Sequence, residues 1–460
     1  MTARPEMRCA GCGAGPAPGD PYGWTCPNRL SGGSVALVAG DVDHVMVRHL
    51  DVAGLSLVSS DSENPFVRYR QLLLAYHRWR EAGASDATFV DLVEELDDAV
   101  GAVAARAEGF RRTPLIRHEL LDAAVGTRVW VKDETGNVGG SHKGRHLFGL
   151  MIMLRVLERL GLVSAEQAVA PLAIASCGNA ALAAAIVAAA AGRPLEVFIP
   201  PDADPAVVAQ LEEHGARLHV CRRQAKGSGA DAGAGAGNPC YAAFVAAVSA
   251  GAIPFGCQGP DNGLTIEGGA TLAWEVAETL HAAGVAAPQR LVVQVGGGAL
   301  ASACALGMGE ATTLGVLQRA PALDTVQTAG CAPLERAHAA VLAEIRAGRT
   351  AETALAEARR HRSRFMWPWE AEPRSVAGGI LDDETYDFLA VLNAMVSTGG
   401  TGLVVDEQLL MEANDLAVSS TGIDVDHTGS AGLAGLLLLA RTGRVPADAD
   451  VIVVFSGARR

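Results

Sequence analysis

Aromatic residues are scarce, only 5% of 460 positions, while 49% of the chain is hydrophobic. A core therefore has to be built from aliphatic and small side chains, which suits closely packed helices on a sheet. No long apolar run is present. The longest, residues 180–191, spans about a dozen positions against the roughly 20 a membrane-crossing helix needs, so no membrane span is expected. Basic charge is in deficit, with a net charge of −14. That excludes the basic face nucleic acid requires, but not an anionic ligand held by backbone amides. Arg4 and Arg8 have no apolar stretch behind them, so no signal peptide is expected. The nine cysteines are scattered. They read as reduced, mostly buried thiols of a cytoplasmic protein rather than a disulfide framework.

What is present points to an α/β chain too long for one small core. Residues 1–35 stand apart. Cys9 and Cys12 form a C-x-x-C knuckle, and Cys26 follows a Gly/Pro-rich loop. Two complete knuckles would give a structural zinc its tetrahedral shell. Here Asn28 and Arg29 stand where another cysteine is expected, which leaves two readings: a zinc site on Cys9, Cys12 and Cys26, completed by a histidine such as His44, or a metal-free remnant. Helical patterns over residues 68–82 and 88–107 follow. An extended segment then begins at Thr113 and Pro114.

From there strands alternate with helices, and the junctions carry the chemistry. Residues 129–134 form a β-rich run that passes through a glycine-containing turn to Lys143 and an apolar helix. A lysine at such a corner suits Schiff-base chemistry, since burial near a helix N-terminus disfavours the ammonium form; alone, it reads equally as a solvated lysine. Residues 171–175 run as a strand into Ser176, Cys177, Gly178 and Asn179, then an alanine-rich helix. This loop offers a hydroxyl, close backbone approach and amide donors at a helix N-terminus, although a plain N-cap by Asn179 explains it as well. Residues 227–237, nearly all Gly, Ala and Ser, form a surface loop without chemistry. The strand 291–295 feeds Gly296, Gly297, Gly298, Ala299 and Leu300, whose backbone N–H groups make a cup for phosphate. The same letters fit a dinucleotide fingerprint, but Asp324 falls at the wrong end of the next strand to reach a ribose. Residues 335–365 are a charged helical excursion, and a loop with Trp367 and Trp369 runs on to Gly379 and lines the cleft. His427 to Gly432 cap a helix over residues 433–441. The last strand ends at Ser456.

The order of the Lys143 corner, the S-C-G-N loop, the G-G-G-A-L loop and the terminal Ser456-Gly457 resembles the fold type II pyridoxal-phosphate enzymes, the tryptophan synthase β-like superfamily. Within it the threonine synthase and serine/threonine dehydratase branch is nearest, and the N-terminal knuckle strengthens that comparison. The resemblance covers residues 110–460. It implies two three-layer α/β/α domains with mostly parallel sheets: a large one of residues 51–145 and 265–460, a small one of 146–264 inserted between its halves, and a cysteine-containing arm of 1–50. It further implies a cytoplasmic homodimer. Carried over by position, Lys143 would bind pyridoxal 5'-phosphate as a Schiff base and act as base. Asn179 would bond the phenolic oxygen, Gly296 through Leu300 the phosphate, and Ser456 the pyridine nitrogen; Ser176, Cys177 and Gly178 would receive the substrate carboxylate. The implied activity is a lyase or synthase working by elimination or replacement on a small hydroxy- or O-substituted L-amino acid, through an aminoacrylate-type intermediate. His142, Gly144 and Cys177 depart from the family pattern beside the reacting centre, which points to a specialised relative. Two alternatives are a catalytically idle amino-acid sensor that binds the cofactor, and an NAD-dependent enzyme using the Gly296 loop.

Overall fold

The computed structural model describes residues 5–29, 41–104, 108–222 and 238–460; the loop expected over residues 227–237 lies outside them. Two sheets organise the chain, in the α/β architecture expected. The larger has six strands in the order Gly402–Val405, Ala322–Thr328, Arg290–Gln294, Asp450–Phe455, Arg128–Asp133 and Leu115–Arg117. All pair in parallel except the edge strand Leu115–Arg117. The smaller is wholly parallel, in the order Arg217–Val220, Leu195–Ile199, Leu172–Ala175 and Ile253–Pro254. A two-stranded antiparallel ribbon, Glu6–Cys9 with Met46–His49, carries the N-terminal cysteines.

Parallel pairing fixes where function can sit, because every strand delivers its following loop to the same sheet edge. In the large sheet Arg290–Gln294, Asp450–Phe455 and Arg128–Asp133 are consecutive neighbours, with Val453 opposite Val292 and Phe455 opposite Asp133. Residues far apart in the chain, the glycine loop, Ser456 and the turn to Lys143, therefore emerge side by side. Gln294, the polar exception in an apolar strand, donates from Nε2 to Gly429 O (3.0 Å) and Val454 O (3.2 Å), tying the strand to its neighbours.

Two local expectations give way. The helix expected over 68–82 is broken into Pro65–Arg68, a 3-10 turn Arg70–Leu72 and Leu74–Glu81, with Leu73 extended at ψ 130°. The Leu74 N–H donates to both carboxylate oxygens of buried Glu267 (3.0 and 2.9 Å), and satisfying that carboxylate outweighs continuing the amphipathic pattern. His427 to Gly432 do not cap a later helix; they are its first turns, in His427–Arg441, because the Asp426 carboxylate caps it from in front. In the loop running on to Gly379, Trp367 and Trp369 share one cation. Arg336 lies 3.7 Å over the Trp367 ring and 5.2 Å from that of Trp369, holding the pair against its own helix.

Candidate active site and metal centre

Lys143 opens the helix Lys143–Arg159, behind a turn in which Gly139 and Gly140 have φ of +71° and +70°. It is half-buried. The departure at Gly144 has a steric cause: a Cβ there would lie 2.8 Å from Val138 O and 3.1 Å from the Phe110 ring. Directly behind, Arg145 is fully buried. It grips Glu134 (2.8 and 2.9 Å) and Glu275 (2.6 and 3.1 Å) with both edges of its guanidinium. Lys132 pairs with the same Glu275 and donates to Thr113 O at 2.8 Å. Two cations thus face two anions, all four buried. Burial opposes the charge on Glu134, yet Arg145 and Lys132 overcome it and hold the carboxyl below its ordinary range. This block anchors the end of the strand and the start of the helix, and so fixes the corner that carries Lys143.

The glycine loop lies beside it, with Gly298 at φ +100° capping the helix Ala299–Thr313. Its inner face is a cradle without room for side chains. A Cβ on Gly296 would lie 2.5 Å from Asp382 Oδ2, one on Gly297 2.8 Å from the Tyr386 ring, and one on Gly298 3.0 Å from Thr385 Cγ2. The Asp382 carboxylate thus lies against the Gly296–Gly297 backbone, its Oδ2 also 3.5 Å from where a Gly297 Cβ would be, so the cup already faces an anion. Burial pushes that carboxyl up to about 6, against the pull of Lys143. The lysine turn and the cup follow the two strands that flank Asp450–Phe455, at the same sheet edge.

Ser456, at the end of Asp450–Phe455, accepts from the His142 N–H at 3.1 Å, and its hydroxyl also contacts His142 Nδ1. Burial, with Lys143, His146 and Arg145 nearby, keeps the His142 imidazole neutral. Its Nε2 is buried without a hydrogen-bond partner.

The S-C-G-N loop comes from the other sheet. Ser176, Cys177, Gly178 and Asn179 are all half-buried, and burial followed by the charges of Asp202 and Asp382 raises the Cys177 thiol. Asp382 therefore acts on both walls. Gly178, not Asn179, is the N-cap of Asn179–Ala190, and it makes no side-chain cap bond. The Asn179 Oδ1 is instead taken by Arg460 Nη1, while Arg460 Nη2 donates to Gly139 O at 2.8 Å. One guanidinium joins this loop to the lysine turn. Asp324 is bound within the sheet by Arg290 at 2.8 Å and by the Thr401 N–H, so the dinucleotide fingerprint lacks its acidic partner. Asp382, Tyr386 and Arg460 escaped sequence reasoning. The only local trace was an acidic run, L-D-D-E-T-Y-D, beside the loop assigned to the cleft.

At the N-terminal ribbon, the ligand atoms of Cys9, Cys12, Cys26 and His44 all lie within 4.8 Å of one another. Cys9 Sγ is 3.6 Å and Cys26 Sγ 3.4 Å from His44 Nδ1, and Cys12 and Cys26 sulfurs are 3.6 Å apart. A tetrahedron with metal–sulfur bonds of about 2.3 Å has edges of about 3.6–3.8 Å. Asn28, where a cysteine was expected, donates to Cys12 Sγ at 3.3 Å, as an outer partner to a thiolate would.

The donors at the cleft fit an anionic aldehyde: a glycine cup without room for side chains, a lysine turn at the same sheet edge, and a buried ring nitrogen lacking a partner. Among the described residues no helix is long and apolar enough to cross a membrane. A family model described as "Pyridoxal-phosphate dependent enzyme" matches residues 107–457. The threonine synthase of Methanosarcina acetivorans is 28% identical over 348 residues, covering 75% of this chain and 74% of that one. Maize serine racemase superposes with a TM-score of 0.55 at 19% identity, covering 79% of this chain and 93% of the other. The processed form of threonine deaminase isoform 2 from Solanum lycopersicum gives 0.55 at 14% identity, covering 82% and 91%.

Proposed function

The chain belongs to the pyridoxal-phosphate-dependent enzyme family, and from that membership we propose that it eliminates or replaces the β-substituent of a small hydroxy- or O-substituted L-amino acid, as a lyase or synthase. The observation that carries the proposal is the shared sheet edge: neighbouring parallel strands deliver the Lys143 turn, Ser456 and the side-chain-free glycine cup side by side. Lys143 would hold the cofactor aldehyde, the amides of Gly296 through Leu300 its phosphate, Asn179 its phenolic oxygen and Ser456 its ring nitrogen. Bound there, the cofactor supplies a conjugated ring that takes up the electron pair left when the substrate's α-proton departs.

The chain's own groups do the rest. The Lys143 amine removes and returns the α-proton as general base. Arg460 occupies Asn179 Oδ1, which fixes which edge of the amide is left free to donate. The Ser176 hydroxyl and the Cys177 and Gly178 amides receive the substrate carboxylate at a helix N-terminus. Ser456 brings a neutral hydroxyl, not a carboxylate, so no counter-charge favours a proton on the ring nitrogen. That weaker electron sink favours elimination or replacement over transamination. We take the large sheet with residues 51–145 and 265–460, and the small sheet with 146–264, as the two domains that form the cleft. The relatedness to a threonine synthase at 28% identity supports the substrate class.

The test is to mix the purified protein with serine, threonine, O-phosphohomoserine and O-acetylserine in turn, following the near-visible cofactor band and the products. At least one substrate shifts the band and is turned over, and Lys143→Ala loses both. Unchanged turnover in cofactor-replete Lys143→Ala refutes the proposal; band shifts without product from any amino acid identify a sensor instead. We also propose that Cys9, Cys12, Cys26 and His44 hold one structural zinc ion, on the strength of their tetrahedral spacing.

A further inference from the structure

Residues 380–387 are stitched onto the glycine loop by their own backbone and side chains. Thr385 Oγ1 donates to Gly296 O at 2.9 Å, and the Asp387 N–H donates to Gly297 O at 3.0 Å. The Tyr386 ring covers Gly297, and a Cβ on Gly296 would fall 2.9 Å from Ile380 Cα. This fastening fixes the backbone that carries Asp382 beside the cup. Its carboxylate lies over the loop, where a Cβ on Gly296 would fall 2.5 Å and one on Gly297 3.5 Å from Oδ2, close against the amides a phosphate at this loop needs. Two anions cannot sit against one glycine pair at close range without strong repulsion. Gly296 and Gly297 have no side chains to hold them apart.

We propose that Asp382 is an internal anion that competes with the cofactor's phosphate for the glycine cup, so that its carboxylate must turn away before the cofactor seats. The proposal rests on the reading of the cup as the phosphate site of a pyridoxal-phosphate enzyme. Asp382 then governs the rate and tightness of cofactor uptake rather than the chemistry that follows. Pyridoxal, which has the aldehyde but no phosphate, makes no claim on the cup and is indifferent to Asp382. The amide of Asp382→Asn still fills the same space but carries no charge, so it competes less; Asp382→Ala does not compete at all.

The experiment titrates the full-length protein, freed of cofactor, with pyridoxal phosphate and separately with pyridoxal, reading the near-visible band in stopped flow and at equilibrium. Wild type is compared with Asp382→Ala, Asp382→Asn and, as a control for net charge, Asp383→Asn at the exposed neighbour. The expected result is that Asp382→Ala takes up pyridoxal phosphate about tenfold or more faster and tighter than wild type. Asp382→Asn falls between them, Asp383→Asn stays within about twofold of wild type, and pyridoxal binds all four alike. Equal or weaker uptake of pyridoxal phosphate by Asp382→Ala overturns the proposal, as does an equal gain for pyridoxal or for Asp383→Asn. A band in none of the proteins refutes the cofactor reading itself, and this inference with it; a band in wild type that Asp382→Ala leaves unchanged refutes only the inference.

Discussion

The hydroxyl of Ser456 and the imidazole of His142 are partners: Ser456 Oγ takes the His142 backbone N–H at 3.1 Å and lies against Nδ1 of the same residue. Ser456→Ala strands that nitrogen in a buried place where Nε2 already has no partner. Leaving one buried polar group unsatisfied costs about 1–3 kcal/mol. His142→Phe removes both nitrogens and keeps a flat aromatic ring. Urea unfolding should show Ser456→Ala destabilised by that amount and His142→Phe within about 1 kcal/mol of wild type. Turnover of His142→Phe within about tenfold assigns the ring to packing; a loss beyond about 100-fold assigns it to proton transfer.

The block behind Lys143 is balanced, with Lys132 and Arg145 against Glu134 and Glu275. Arg145→Ala leaves two buried carboxylates facing one ammonium, and breaking such a pairing costs about 3–5 kcal/mol. Arg145→Lys is not a rescue, because an ammonium cannot span both carboxylates as the flat guanidinium does. Denaturant midpoints of the two variants check this; a midpoint for either within error of wild type defeats it.

Arg460 is an exposed residue acting on a site residue. Without it the Asn179 amide can turn either edge toward the cleft. Arg460→Ala should weaken pyridoxal-phosphate binding by about tenfold, the worth of a charge-assisted hydrogen bond, with the melting temperature unchanged. Arg460→Lys, which keeps the charge, should recover part of the affinity. A fall in melting temperature with unaltered affinity would make the contact merely structural.

Asp387 sits beneath the cup, where burial pushes its carboxyl up to about 8. In the unfolded chain it titrates near 3.8, so between these values folding retains a proton that unfolding releases. Stability therefore falls as pH rises toward 8, by about 1.4 kcal/mol per unit. Below pH 6.5 the buried histidines His142 and His146, both lowered by burial, pull in the opposite sense. Above pH 6.5 their pull fades as the unfolded imidazoles lose their protons. From pH 6.5 to 8 wild type should lose about 2 kcal/mol through Asp387, with a further contribution from Glu267, which burial pushes up to about 7. Asp387→Asn should remove its share of the slope; urea unfolding at the two pH values measures it.

If Cys9, Cys12, Cys26 and His44 hold zinc, the purified protein carries about one metal equivalent by elemental analysis, and cobalt replacing it gives the visible absorption of a tetrahedral thiolate site. Chelation should loosen the ribbon and, through Arg29, which pairs with Asp261 at 2.9 Å, the loop leading to Thr265–Ala282. His44→Ala should lower the metal content. Full loading in that variant would sink the fourth ligand.

What the amino-acid order determined by itself is short-range. Apolar runs of strand length, small-residue helices behind them, and glycine, serine or lysine at each junction specify where strands end and helices begin, because turn chemistry and periodicity act over a few residues. Their sequence along the chain was enough to suggest the family. It offered His44 as one histidine that could join the three cysteines, but did not show that Asp382 lies against Gly296 and Gly297, that Arg460 crosses to Asn179, or that Glu267 breaks a helix at Leu73. Each of these pairs residues dozens to hundreds of positions apart. Such pairings follow from which strands become neighbours in the sheets and which buried charges must find partners, and only the packed tertiary structure decides that.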